Sequence, residues 1–240
     1  MSLKKLTDTI YYLPFEKELD RPSLGYIIGE DKVLVVDAGN SPAHYQYFCE
    51  ELKKNHLKVP DYCVLTHWHW DHTFGLSAVN VPVFAHELTN EKLIEMSQWE
   101  WSLEALQRRV EEGIEIEFCA EHILKEYKDL SKINISQASI CFSDKMTINL
   151  GNKKVELIHL DSSHGEDNVV VYIPDEKIVF LGDIYTEDYY HQQAIYADRN
   201  RSLYESLKAL DFEIGMHSHV VPQSKEEILA ILEEMQRQAR

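Results

Sequence analysis

The chain has 240 residues, 44% of them hydrophobic and 27% charged, a balance too apolar for disorder and ample for a packed core. Lys and Arg number 24 against 41 Asp and Glu, a net charge of −17, and a chain this acidic repels nucleic-acid backbones and anionic lipid surfaces. No apolar run approaches the roughly 20 residues that a membrane helix needs.

The residues Met1 to Asp8 hold no apolar signal core, so the expected location is the cytoplasm. Short β-rich runs follow at 9–13 and 25–28. Residues 32–36, Lys-Val-Leu-Val-Val, form a continuous apolar run that ends in the turn Asp37-Ala38-Gly39-Asn40 and reads as a strand buried on both faces. Tyr45, Phe48, Cys49 and Leu52 recur at helical spacing. Strands are then expected at 62–65 and 81–85. This strand–helix–strand order predicts an α/β fold.

From residue 87 to about 132 the composition turns charged. Leu93, Met96, Leu103, Leu106 and Val110 fall at helical spacing, Gly113 breaks the pattern, and a second helical stretch covers 116–130. No Gly, Ser or Pro linker flanks this region, so it reads as a helical insertion within a single domain spanning 1–240. Beyond it the β pattern resumes at 140–142, 146–150, 155–158, 169–173 and 177–181, with Gly151-Asn152 as a hairpin signal. Residues 202–210 and 225–236 read as helices, the second opened by a capping box of Ser224 and Glu227. The whole suggests two β-rich halves with outer helices.

Four cysteines, Cys49, Cys63, Cys119 and Cys141, lie far apart with no CxxC pair, so reduced thiols are expected and a zinc ribbon is not. The 12 histidines matter more. His67, His69, Asp71 and His72 stand within six residues after the strand at 62–65. The two-residue step from His67 to His69 points both rings to one side of an extended chain. Such a cluster at a strand C-terminus sits where α/β folds place active sites. Imidazole nitrogen and carboxylate oxygen suit zinc, with iron or manganese as alternatives. Three later places can supply further ligands, each after or at the end of an expected strand or before the last helix: His164, Asp183, and the pair His217 and His219.

With these residues in this order, the sequence resembles the metallo-β-lactamase-fold superfamily of metal-dependent hydrolases. The resemblance covers most of the chain and is weakest over 87–132. It implies an αββα sandwich with two metals at one edge between two sheets. It further implies that His67, His69 and His164 bind the first metal, that Asp71, His72 and His219 bind the second, and that Asp183 bridges them. Asp37 matches a position that supports the site without touching metal. His219 is preferred to His217 because it keeps the six-residue distance to Lys225 and the following Pro222.

The expected chemistry is hydrolysis of a small ester, thioester, lactone or phosphoester. Two ions about 3.5–4 Å apart hold a bridging water and lower its pKa from 15.7 toward about 7, so that hydroxide attacks. Asp71 both ligates and relays a proton. Tyr185, two residues beyond Asp183, is the candidate donor to a substrate oxygen. Trp68 and Trp70 alternate with the ligands and are expected to point away and pack. Trp99 and Trp101 fall in the insertion, as cleft, core or dimer residues. Redox relatives with two irons often replace the second histidine by glutamate, so His69 favours hydrolysis. An iron-dependent oxidation and a non-catalytic metal-binding module are the competing readings. The expected partner is a small-molecule substrate, with no nucleic acid, no membrane, and a homodimer through the insertion as an option.

Overall fold

A computed structural model describes residues 1–239. Among them the chain forms two sheets. The first takes its strands in chain order: β1 (Lys4–Lys5), β2 (Ile10–Leu13), β3 (Leu24–Ile28), β4 (Val33–Val36), β5 (Tyr62–Val64), β6 (Val83–His86) and β7 (Ile140–Phe142). β1 to β4 are antiparallel, and β4 to β7 run parallel. The second sheet holds β8 (Lys145–Asn149), β9 (Lys154–His159), β10 (Val169–Ile173), β11 (Ile178–Gly182), β12 (Ile214–His217) and β13 (Gln223–Ser224), also in order. It is antiparallel except between β11 and β12.

Side-chain alternation sorts the apolar residues into three layers. In β4, Val33 and Val35 face one core while Leu34 and Val36 face another. In β10, Val169, Val171 and Ile173 share the layer of Leu34 and Val36, and Val170 and Tyr172 turn to a third. The middle layer lies between the sheets. One outer layer is closed by helix α1 (Pro42–Lys54) and the helices of the insertion, the other by α6 (Ala197–Ala209) and α7 (Lys225–Gln238). This is the four-layer αββα sandwich expected. Among the described residues no helix is long and apolar enough to cross a membrane.

The insertion is the crossover between the parallel strands β6 and β7, a connection that parallel pairing requires. It contains α3 (Glu87–Met96), α4 (Leu103–Glu111) and α5 (Glu117–Glu126). Sequence periodicity expected one helix through Leu93 and Val110, but the chain breaks between Met96 and Leu103. Ser102 caps α4 by accepting from the Ala105 N–H. The Arg109 guanidinium lies 4.7 Å from the Trp99 ring centre and 4.6 Å from that of Trp101, and Arg109 donates to the Glu100 carbonyl at 2.9 Å. The two tryptophans are therefore spent on a cation–π clamp and do not line a cleft. β12 is a strand that the sequence reading did not contain. The capping box of Ser224 and Glu227 is present.

Backbone hydrogen bonds also join the sheets at the edge that carries the clustered histidines. There the Val169 N–H donates to the Thr66 carbonyl at 2.7 Å, and Ser23 N–H to the Ser218 carbonyl at 2.7 Å. Gly182 ends β11 at φ +56°, and a Cβ on it would meet the Thr66 side chain at 2.8 Å. Only glycine allows both the left-handed turn and this approach.

Candidate metal centre

The segment after β5 is clamped from two sides. The Asp37 carboxylate, 1% exposed, accepts from the Thr66 N–H at 2.8 Å and the Thr66 hydroxyl at 2.9 Å. From the other side Asp167 accepts from the Trp68 N–H at 2.9 Å and the Thr89 hydroxyl at 2.7 Å. The chain stays extended through His69 and then turns into the short helix α2 (Trp70–Thr73). The Thr73 hydroxyl closes that turn on the His69 carbonyl at 3.0 Å. Extended chain delivers His67 and His69 together, and the helical turn delivers Asp71 and His72 to a neighbouring spot.

Two groups of donor atoms result, each within 4.8 Å: His67, His69 and His164, and beside them Asp71, His72, Asp183 and His219. In the first, His67 Nε2 lies 3.0 Å from His69 Nδ1 and 3.2 Å from His164 Nε2. Ligand nitrogens of a tetrahedral zinc site with bonds of about 2.0–2.1 Å are roughly 3.3 Å apart, so the spacing fits one ion. The far nitrogens of His67 and His164 are held. Thr66 Oγ1 is 3.0 Å from His67 Nδ1, and Thr186 Oγ1 is 2.6 Å from His164 Nδ1. In the second group Asp71 Oδ2 is 3.1 Å from His72 Nε2 and 3.0 Å from His219 Nε2. Asp183 Oδ2 is 3.5 Å from His72 Nε2 and 3.3 Å from His219 Nε2. His72 Nδ1 is fixed by Asp37 at 2.8 Å. His72 Nε2 and Asp183 Oδ1 are buried with no hydrogen-bond partner, which is the state of atoms placed to hold a cation. The residues fit a dinuclear metal site.

Electrostatics separates the groups. Burial, then the neighbouring imidazoles, pushes His67 well below its ordinary value. Burial and His164 do the same to His69, and burial leads at His164. These rings are neutral and present lone pairs. In the second group burial alone would raise Asp183, but His219, His72 and His217 outweigh it and hold the carboxyl well below the usual range. Burial would lower His72, but Asp71, Asp37 and Asp183 outweigh it and push it up. His219 is pushed up in the same way by Asp183 and Asp71. The carboxylates thus attract positive charge at the point where a second cation would sit.

His219, not His217, joins the cluster. His217 instead accepts the His219 N–H at Nδ1, 3.1 Å away, and lies 3.9 Å from Asp183.

A family model described as the metallo-beta-lactamase superfamily matches residues 20–211. The chain belongs to the metallo-beta-lactamase superfamily. Among solved structures, a metallo-beta-lactamase from Pontibacter korlensis superposes with a TM-score of 0.66 over 97% of this chain and 98% of its own, at 18% identity. A metallo-beta-lactamase family protein from Thermus thermophilus gives 0.69 over 98% of this chain and 80% of its own, also at 18% identity. Both share the fold. The acyl-coenzyme A thioesterase MBLAC2 of Homo sapiens is 24% identical over 191 residues, 75% of this chain. That match spans 65% of the relative's own length, just under two thirds.

In this member of the metallo-beta-lactamase superfamily a cavity of about 800 Å³ opens over both donor groups, reached by His69, Asp71, His164, Asp183 and His219. Among the lining residues left without a role by the sequence are Asp20 and His122. Asp20 lies 3.9 Å from His219 Nδ1, and burial, then the Asp71 charge, raises its carboxyl to about 7. His122 comes from the insertion, and the Tyr190 ring lies tilted against His69 with ring centres 5.5 Å apart. Trp70 packs on Phe74 at 6.0 Å, as expected. Trp68 packs against the outer core, with its ring 4.5 Å from His69 and 5.4 Å from Tyr190.

Tyr185 needs correction. It is 6% exposed, its hydroxyl donates to the Gln223 side chain, and its ring packs on His217 at 4.4 Å. The turn at Gly182 swings it behind the site, and Tyr189 and Tyr190 line the cavity instead. Tyr185→Phe should therefore change kcat/KM less than about threefold and cost about 1 kcal/mol of stability. Steady-state kinetics and urea unfolding measure both.

Proposed function

We propose that the chain is a dinuclear zinc hydrolase acting on an ester or thioester carbonyl. The observation that carries this reading is the pair of adjacent donor groups, one of three neutral imidazoles and one rich in carboxylate, facing a single cavity. Membership of the superfamily and the likeness to an acyl-coenzyme A thioesterase support it. The net charge of −17 disfavours a phosphoester dianion.

His67, His69 and His164 would hold one ion, and Asp71, His72 and His219 the other, with Asp183 between. A bound pair of zinc ions would acidify water at neutral pH and polarise the carbonyl oxygen. Asp71 stays ionised because His72 and His219 outweigh its burial. Its carboxylate can therefore accept a proton from the attacking water and return it to the leaving group. Asp37, through His72 and Thr66, keeps the donor atoms aimed.

Elemental analysis should find two zinc ions per chain, and the loaded protein should hydrolyse S-acyl thioesters of N-acetylcysteamine. Asp71→Asn should cut kcat by about 10²–10⁴-fold. Full activity in that variant, or iron with oxygen consumption, overturns the reading.

A further inference from the structure

The cavity has an apolar wall that the metal chemistry does not use. Three separate segments build it: Phe15 from the turn before β3, Ile116 and Phe118 from the start of α5, and Tyr189 from the segment after β11. Phe118 is 53% exposed and Tyr189 40%. Aromatic rings left open to water together, around the mouth of one cavity, mark a place where an apolar ligand covers them. On α5 the Phe118 ring is also backed by the His122 ring at 4.2 Å, which holds it toward the cavity.

The three segments are tied to each other by polar contacts away from the rings. The Tyr190 hydroxyl donates to Glu115 at 3.0 Å, joining the segment after β11 to the insertion. Glu115 is 4% exposed. Arg21 grips Glu126 with two bonds, at 2.9 and 3.3 Å, joining the insertion to the turn that carries Phe15. The wall is therefore built before any ligand arrives, and little ordering cost falls on binding.

We propose that Phe15, Ile116, Phe118 and Tyr189 form a subsite for the unbranched apolar acyl arm of a thioester or ester, about eight carbons long. A cavity of about 800 Å³ takes a drug-sized ligand, leaves room for an arm of this size and is far larger than an acetyl group requires. The acyl arm is assigned to the wall because it is the part of such a molecule that gains from leaving water. The polar thiol or alcohol portion stays toward solvent, where the exposed Lys17 stands at the rim. The inference rests on the carbonyl-hydrolase reading for the nature of the reacting group and stands on the wall alone for the nature of the arm.

The test uses binding as well as turnover. S-octyl and S-ethyl N-acetylcysteamine are thioethers that carry the arm and lack the thioester carbonyl, keeping only the unreactive acetamide. Calorimetry on the zinc-loaded wild type should show the octyl compound binding at least tenfold more tightly, since each buried methylene strengthens binding roughly fourfold. Phe118→Ala, at a position exposed enough to leave folding intact, should remove most of that difference. Phe118→Leu should restore much of it, and Phe15→Ala should repeat the loss from another segment. In turnover, the octanoyl-to-acetyl ratio of kcat/KM should fall about tenfold in Phe118→Ala, chiefly through KM. Equal binding of the two thioethers to the wild type, or a difference untouched in both alanine variants, overturns the subsite. Tight, Phe118-dependent octyl binding without hydrolysis of any thioester would uphold the subsite while refuting the proposed reaction.

Discussion

Asp183→Ala should reduce bound metal from two ions per chain to at most one, and lower kcat on an octanoyl thioester by about 10³-fold or more. Asp183, like Asp71, lies beside both His72 and His219, and one of its oxygens is buried without a partner. Removing it leaves Asp71 as the only anion within the second donor group, so the attraction for a divalent ion falls with it. The first group, made of His67, His69 and His164, keeps its donors. Elemental analysis and steady-state kinetics on the same preparation decide the matter. Two ions retained with kcat within threefold of wild type would show that Asp183 takes no part in holding metal. Asp183→Asn preserves the shape and removes the charge. It should fall with the alanine variant if charge is what holds the ion.

Asp37→Ala should be the most destabilising single change in the site, at about 3–5 kcal/mol. One buried carboxylate accepts from the Thr66 N–H, the Thr66 hydroxyl and His72 Nδ1. Alanine orphans all of these where water cannot reach. It also places a residue with a poor left-handed preference at φ +64°. Because His72 then loses its anchor, zinc affinity should fall by about 10–100-fold. Urea unfolding of the metal-free protein reads the first effect, and chelator competition reads the second. Asp37→Asn tolerates the backbone angle and keeps one acceptor oxygen for Thr66, so it should lose less than the alanine variant. A loss under 1 kcal/mol in Asp37→Ala would mean that the Thr66 and His72 contacts are not what fixes the loop.

Much of this was legible because the information is local. The run Val33 to Val36 announced a strand buried on both faces, and its side chains do divide between two cores. The histidine cluster at 67–72 was legible for the same reason: extended and helical spacing over six residues decides where its side chains go. His164, Asp183 and His219 were not linked to it by spacing. They came from strand-end position and from the family resemblance.

What was missed depends on tertiary approach. Asp167 reaches Trp68 across 99 positions in the chain, and nothing in its own neighbourhood marks it beyond lying three residues from His164. Asp20 sits in an ordinary turn and gains its setting only where β12 and α2 deliver His219 and Asp71. Tyr185 was misplaced because counting two residues from Asp183 assumes a regular strand, whereas Gly182 turns the chain at φ +56°. The helix through Leu93 and Val110 was overextended because apolar periodicity runs past Trp99 and Trp101, and only Arg109 reveals what those rings are for. The wall at Phe118 was invisible for a related reason, since an exposed aromatic on a charged helix reads as noise until Phe15 and Tyr189 are seen opposite.

Both donor groups draw on both sheets. His67 and His69 follow a strand of one sheet, and His164 lies between two strands of the other. Asp71 and His72 face Asp183 and His219 in the same way. An ion in either place therefore rivets the two halves of the sandwich across their seam. Tolerance to heat and denaturant then becomes a function of metal supply, gaining about 4 kcal/mol when the free ion stands a thousandfold above its dissociation constant. A cell that starves the protein of metal would loosen its architecture along with its chemistry.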